Sequence, residues 1–481
     1  MKRLLVAALL AAACVAPRFA LSADKRVFRA GAYAIDTAPR ELPVIVNGGM
    51  TERKLDKVTD PLHARCLVLD DGTNEIALAV VDNCVIPRDL MDEAKHLATA
   101  VTGIPETRIM ISATHAHSTP SVFAVLGSDR DERYARFLPG RIAEGIWRAQ
   151  KNLAPARIGW AVGKEPNHVF CRRFLMKPGT ARTVPFTGHS ENQAQMNPGF
   201  QNPNAMRPTG PADTDVSVLA IQAPDGRPMA VLGNYSTHYA GAPGISADYF
   251  AVFAAEIQKL VGAADNPAFM GAMTNGTSGD ANCNDYTKPR QPYTYITVGE
   301  DTAKAAYAAY KTIQWFDWVP IVMEEARLTL PIRMPPAAEV AEAKQAVAKF
   351  AGRKPKTVDE VYARETVILS QTPPVRELKL QAIRLGGLGI ATMPNEVFGI
   401  TGLSIKKESP LRPTFNIELA NGYDGYLPPP DQHKLGGYTT WRARSSCLEE
   451  QAEPKIRSQV LKLLARVAKE RSDEQPVPAK Q

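Results

Sequence analysis

IALAVVDNCVIPRDLMDEAKHLATAVTGIPETRIMISATHAH, running from Ile76 to His117, sets the fold class of this chain. Residues 76–81 form a short unbroken apolar run, the pattern of a strand covered on both faces. Residues 90–101 place Leu90, Met91, Ala94 and Ala98 at helical spacing, and residues 108–112 return to an apolar run. Strand, helix, strand is a crossover unit, which brings its two strands into one sheet side by side and parallel. The second strand runs straight into Ser112-Ala-Thr-His-Ala-His117. In α/β sheets, ligands collect at the carboxyl ends of strands.

Outward from this unit the alternation continues. Helical periodicity covers 133–152, 249–261, 302–313, 336–350 and 453–469, with Ser246 and Asp248 as capping candidates for the second of these. A hairpin is expected from strands 216–221 and 229–235 joined by Pro224-Asp-Gly-Arg227, and further strands at 268–273, 378–383, 388–393 and 415–419. The expected fold is α/β, with mixed, largely parallel sheets flanked by helices and site residues at strand ends. No internal repeat of 20–50 residues is visible. Residues 176–213 are rich in Pro, Gly, Asn and Thr, and their length suggests a loop covering a site.

Composition agrees with a folded chain: 481 residues are 44% hydrophobic and 22% charged. Lys2-Arg3 followed by an apolar run to Ala16 reads as a secretory leader over residues 1–23, too short to span a bilayer. An exported protein is therefore expected, periplasmic or secreted, with lipid anchoring at Cys14 as the less favoured alternative. Residues 24–481 read as a single catalytic domain. Loss of Lys2, Arg3 and Arg18 with the leader lowers the net charge from +7 to +4. The basic residues are scattered without interleaved aromatics, so nucleic acid is not an expected partner. Cys66, Cys84, Cys171, Cys283 and Cys447 are too widely spaced for a disulfide framework, and their odd number requires a free thiol.

Five apolar runs end in polar clusters: 109–117, 231–238, 269–280, 389–396 and 415–426. Of eight histidines, His115, His117 and His238 lie in these clusters, joined by Glu396, Tyr423 and Tyr426. An HxH on an extended segment puts both imidazoles on one side. Two nitrogens, a carboxylate and a phenol form a donor set that suits Zn²⁺. Taken singly, each has a plainer reading: a structural histidine, a turn glutamate, a packed tyrosine.

Ile111-Ser-Ala-Thr-His-Ala-His-Ser118 resembles the ISATHTHSG signature of the neutral/alkaline, non-lysosomal ceramidases, zinc amidases that cut the N-acyl bond of ceramide. Residues 234–239 resemble that family's second-histidine strand, Gly279-Asp280 its GD turn, Pro394-Asn-Glu396 its PGE motif, and residues 421–426 its NxYxxY motif. Tyr438 follows Tyr426 at the family's tyrosine spacing. The resemblance spans roughly residues 28–465 and is specific at these motifs. It implies His115, His238, Glu396 and Tyr426 as zinc ligands, His117 as acid/base and Tyr438 as the donor that polarises the scissile carbonyl. It also implies Arg172 or Arg173 as the active-site arginine, and Gly48 or Gly49 as a glycine whose backbone approaches the site.

Two departures stand out. Asn282 occupies the place of the serine assigned as the family's nucleophile, and no counterpart of the family's C-terminal β-sandwich is expected within residues 24–481. With Asn282 orienting water or substrate, hydrolysis by metal-activated water needs no nucleophilic serine. Ser278, Thr277 and Cys283 are nearby substitutes. The expected activity is an exported zinc amidohydrolase acting on a small-molecule or lipid N-acyl substrate, with peripheral membrane contact. The alternatives are a more polar amide or ester, such as an acylated amino sugar or peptide-like compound, and a non-catalytic binding protein on the same scaffold.

Overall fold

The computed structural model describes residues 26–189 and 191–479. The expected leader over residues 1–23, Cys14 included, lies outside the described residues. Three mixed sheets share one core. The first orders Ile109–Ala113, Glu75–Val81, His63–Asp70, Arg29–Asp36 and Ala154–Pro155. The second orders Met270–Asn275, Pro228–Tyr235, Asp215–Gln222, Arg157–Lys164, Gln314–Trp318 and Val477–Pro478, and the third Ile321–Pro331, Val375–Leu385, Leu388–Thr392 and Thr414–Ile417. Leu67, Leu78 and Met110 of the first sheet pack with Leu219, Leu232 and Met270 of the second and Ile383, Ile390 and Phe415 of the third.

The outer face of each sheet is covered by helices. Arg88–Thr102 and Glu132–Lys151 cover the first sheet, Asp248–Leu260 and Tyr295–Tyr310 the second, and Gly399–Glu408 with Ala452–Lys469 the third. Double coverage explains the unbroken apolar runs: Ile76 to Val81 are all buried. Trp318, Leu385 and Phe415 in the shared core are each almost fully out of solvent.

The mixed α/β architecture matches the sequence expectation; the balance of pairing does not. Most ladders are antiparallel, and the expectation of largely parallel sheets is corrected. Strands His63–Asp70, Arg157–Lys164 and Ile321–Pro331, which the sequence reading did not assign, pair antiparallel with their neighbours and supply much of the difference. Parallel pairing occurs once in each sheet, between Glu75–Val81 and Ile109–Ala113, Pro228–Tyr235 and Met270–Asn275, and Leu388–Thr392 and Thr414–Ile417. Each pair encloses a helix, namely Arg88–Thr102, Asp248–Leu260 or Gly399–Glu408. Each is also preceded by an antiparallel hairpin. One topological unit, hairpin then crossover, therefore occurs three times without a sequence repeat.

Backbone hydrogen bonds join the units where their parallel strands end. Ala113 N donates to Leu419 O at 3.1 Å, Asn421 N to Ile111 O at 2.8 Å, and Glu418 N to Asn275 O at 3.1 Å. The six strand ends thus face one region. Among the described residues no helix is long and apolar enough to cross a membrane, and the five cysteines are all free and buried.

Candidate functional site

The residues that follow those strand ends line a cavity of about 350 Å³. Cys84 comes from the first crossover unit's leading strand, His115 and His117 from its second strand, His238 from the second unit and Glu396 from the third. Tyr423 and Tyr426 follow the last strand of the third unit, and Tyr438 joins them from the segment beyond. His115 Nε2 lies 3.0 Å from His238 Nε2, 3.1 Å from His117 Nε2 and 3.3 Å from Glu396 Oε2. His238 Nε2 is 4.0 Å from the same carboxylate oxygen.

The local backbone corrects one step of the sequence reading. The HxH segment is not an extended strand: the strand ends at Ala113, and His115 has a φ of 73°. This left-handed turn costs a non-glycine residue energy and is held by the His115 N–H bond to Asn83 O at 2.9 Å. It turns His115 toward His238 and leaves His117 against Tyr239, with the two rings stacked at 3.8 Å. Gly48 supports the other side of His117. A Cβ at Gly48, whose φ is +89°, would lie 2.4 Å from His117 Nδ1, so the expected close glycine is Gly48 and only glycine fits there. Gly279 is equally constrained, since a Cβ there would meet Glu396 O at 2.6 Å.

Asp248, the first residue of its helix, accepts the N–H of Tyr249 at 2.8 Å. Its carboxylate accepts the N–H groups of Ala240, Gly241 and Ala242, each at 2.8 Å, and so fixes the turn that leaves His238. Ser246 accepts the Asp248 N–H at 2.9 Å.

Arg172 and Arg173 point to opposite sides of the chain. Arg172 lines the cavity, with Nη2 at 3.3 Å from His238 Nε2, 3.1 Å from Gly279 O and 3.4 Å from Tyr426 Oη. Arg173 donates instead to Gln432, at 3.1 Å to Oε1 and 2.9 Å to O. Tyr426 Oη and Tyr438 Oη are 3.4 Å apart. Tyr423 donates to Glu396 Oε1 at 3.0 Å.

Asn282 does not line this cavity. Its Nδ2 donates to Asn197 Oδ1 at 3.1 Å and Tyr286 Oη at 3.3 Å, and its Oδ1 accepts from Asn284 N at 3.0 Å. Asn197 itself is part of the wall, so Asn282 acts one residue behind it. Ser278, Thr277 and Cys283 also lie off the cavity wall. The 176–213 segment lines the cavity with Arg182, Met196 and Asn197, but it is not loop throughout: strands Ala194–Met196 and Ala205–Pro208 pair antiparallel with Arg173–Met176.

The electrostatics of the cluster favour a cation. His115 Nδ1 lies 2.8 Å from Cys84 O, which makes Nδ1 the protonated nitrogen and turns the Nε2 lone pair inward. His238 Nδ1 faces Ser278 O and Oγ, both at 3.3 Å, with the same consequence. Glu396 Oε2 is buried and makes no hydrogen bond among the described residues. Two lone pairs and a carboxylate oxygen thus crowd one point. Burial lowers His115, but the Glu396 carboxylate and Cys84 outweigh it and hold His115 well above its usual value, so Nε2 keeps a proton toward Glu396 unless a bound cation takes that place. Burial, then the neighbouring His115 and Arg172, push His117 well below its own. Burial and Arg172 do the same to His238. Burial raises Glu396, yet His115 and Tyr426 bring it below the usual carboxylate value.

The donor set fits zinc. Ligands each about 2.0–2.1 Å from an ion at a tetrahedral angle lie roughly 3.3 Å apart, close to the separations of His115 Nε2 from His238 Nε2 and Glu396 Oε2. The ligating atoms of His115, His238 and Glu396 all lie within 4.8 Å of one another.

No family model matches the chain, and no curated protein matches it. Among solved structures, the chain is similar to a ceramidase complexed with C2, with a TM-score of 0.68 and 16% identity, covering 95% of this chain and 76% of the other. It is likewise similar to the neutral ceramidase from Pseudomonas aeruginosa, with a TM-score of 0.67 and 16% identity, covering 95% and 77%. The chain has the fold of those proteins.

Proposed function

We propose that this protein, built on the ceramidase fold, is an exported zinc-dependent amidohydrolase of neutral-ceramidase type that hydrolyses an N-acyl bond. The observation that carries this reading is the convergence of His115 Nε2, His238 Nε2 and Glu396 Oε2 on one buried point inside a cavity also lined by His117, Arg172, Tyr426 and Tyr438. His115, His238, Glu396 and Tyr426 would hold the zinc ion. When bound, zinc supplies a Lewis acid that acidifies water and polarises a carbonyl.

The chain's own residues supply the rest. His117 Nε2, 3.1 Å from His115 Nε2, is placed to accept a proton from the attacking water and pass it to the departing amine. Tyr438 donates to the oxygen on which negative charge develops. Arg172 stays charged because the tyrosines and Glu396 more than offset its burial, and it adds positive potential beside Tyr426. Asn282 holds Asn197 in the wall and acts on substrate only through it.

The apolar side chains Met50, Val85, Val125, Leu126 and Met196 offer a surface for an acyl chain. Asn47, Arg182 and Asn197 in the same wall favour the second reading, a more polar amide or ester such as an acylated amino sugar or peptide-like compound. The test is metal analysis of pure protein followed by hydrolysis assays on a short-chain ceramide, an N-acyl amino sugar and an N-acyl peptide. Zinc with turnover of any of these supports the reading; bound zinc with none turned over leaves a binding protein. The leader at residues 1–23 supports export, and an N-acyl lipid substrate would require peripheral contact with a membrane.

A further inference from the structure

Behind the cluster, on the side away from the cavity, lies a carboxylate with no part in the reaction described above. Glu418 is fully buried at the end of strand Thr414–Ile417, where the three crossover units meet. Its Oε1 accepts from Ser278 Oγ at 2.6 Å and Asn275 Nδ2 at 2.9 Å, and its Oε2 from Val397 N at 2.7 Å. Asn275 Nδ2 and Val397 N can only donate, so Glu418 accepts at both oxygens, and burial pushes its carboxyl up to about 8.

The direction of these bonds fixes what lies beyond them. Ser278 gives its proton to Glu418 and receives one from Asn275 Nδ2 at 3.0 Å, which leaves a hydroxyl lone pair facing His238 Nδ1 at 3.3 Å. His238 therefore carries its proton on Nδ1 and presents a bare Nε2 to the cavity. The other arm of Glu418 grips the N–H of Val397, the residue next to Glu396. Asn275 belongs to the second unit, Val397 to the third, and Glu418 joins them.

We propose that Glu418 is a positioning residue for the metal centre, orienting His238 through the Ser278 hydroxyl and Glu396 through the Val397 amide. This rests on the reading of His238 and Glu396 as metal ligands. Carboxylates that act on a ligating histidine from behind fix its tautomer and raise its basicity, and their loss typically weakens metal binding on the order of 10- to 100-fold.

The test is the zinc affinity of metal-stripped full-length protein, measured by competition with a chelator. Glu418→Gln puts an amide donor against Ser278 and Asn275 or against Val397, and a 10- to 100-fold loss of affinity is expected. Ser278→Ala removes the hydroxyl between Glu418 and His238 but leaves the Val397 arm intact, and should cost at least about tenfold. Glu418→Asp, which keeps a carboxyl group, should recover part of the loss. Should Glu418→Gln fail to fold, Ser278→Ala and Glu418→Asp carry the test. Wild-type affinity in Ser278→Ala, with zinc bound normally by the parent protein, overturns the proposal alone. A parent protein that binds no zinc overturns the reading beneath it.

Discussion

His117→Ala separates a group that moves protons from one that holds metal. His117 Nε2 is 3.1 Å from His115 Nε2, nearly as close as His238 is, yet of these three histidines only His115 and His238 come within 4.0 Å of Glu396 Oε2. That asymmetry places His117 beside the cation position without sharing it. Loss of a general acid/base typically costs 10²- to 10⁴-fold in turnover, or about 3 to 5 kcal/mol of barrier. The structural cost is smaller. Stacking on Tyr239 at 3.8 Å is worth about 0.5–1.5 kcal/mol, so the variant should still fold. Metal analysis alongside turnover of an N-acyl substrate reads both quantities from one preparation. The expected result is one zinc per chain with kcat down at least about 100-fold. A variant that loses its zinc makes His117 a ligand, and one that keeps wild-type turnover removes it from the reaction.

Gly48→Ala should have the same phenotype by another route: the new Cβ, 2.4 Å from His117 Nδ1 and at a φ of +89°, displaces the His117 ring, so turnover falls while zinc is kept. Zinc loss there would mean that the displacement reaches the ligands. No acyl-enzyme is expected, because Ser278, Thr277 and Cys283 lie off the cavity wall and Asn282 is no nucleophile; absence of a kinetic burst and of any acyl adduct by mass spectrometry checks this. Asn282→Ser should lower activity on the native substrate through its loss of contact with Asn197, and a rise in ceramide hydrolysis would count against that placement. His433 is pushed down to about 3 by burial and by Arg333 and Arg173. Between its ordinary value near 6.5 and that lowered value the unfolded chain binds a proton that the folded one does not, so stability falls as pH drops through this window. His433→Gln should therefore lose less melting temperature than the wild type between pH 7 and 4.5; equal losses would refute this.

The sequence exposed the crossover unit at 76–117 because both of its strands are buried on two faces and its helix on one, which leaves unmistakable runs and spacing. It concealed the antiparallel strands. Ile321–Pro331, for example, is buried over Ile321–Met323, half-buried through Glu324, Glu325 and Ala326, and alternates only from Arg327 on, so no single period runs its length. The threefold topology was hidden for a related reason: the units share connectivity and burial, which many side chains satisfy. Within the site, strand-end position gathered His115, His117, His238, Glu396, Tyr423 and Tyr426, and the resemblance chose among them. The choice between Arg172 and Arg173 needed the backbone, which sends successive side chains to opposite faces. Glu418 stood in plain view, a carboxylate inside the apolar run Phe415-Asn-Ile-Glu-Leu-Ala420, but its partner Ser278 lies 140 residues earlier. A charged residue in a run that is otherwise core was the available signal.

The central claim is that His115, His238, Glu396 and Tyr426 hold one catalytic zinc ion. Zinc content and N-acyl hydrolysis, measured together on the wild type and on Glu396→Gln, test it most directly. The account predicts one zinc per wild-type chain, removal of zinc and activity together by chelation, recovery of both on adding zinc back, and a Glu396→Gln protein deficient in both. Full hydrolytic activity in wild-type protein stripped of metal, or stoichiometric zinc and normal turnover in Glu396→Gln, would contradict it.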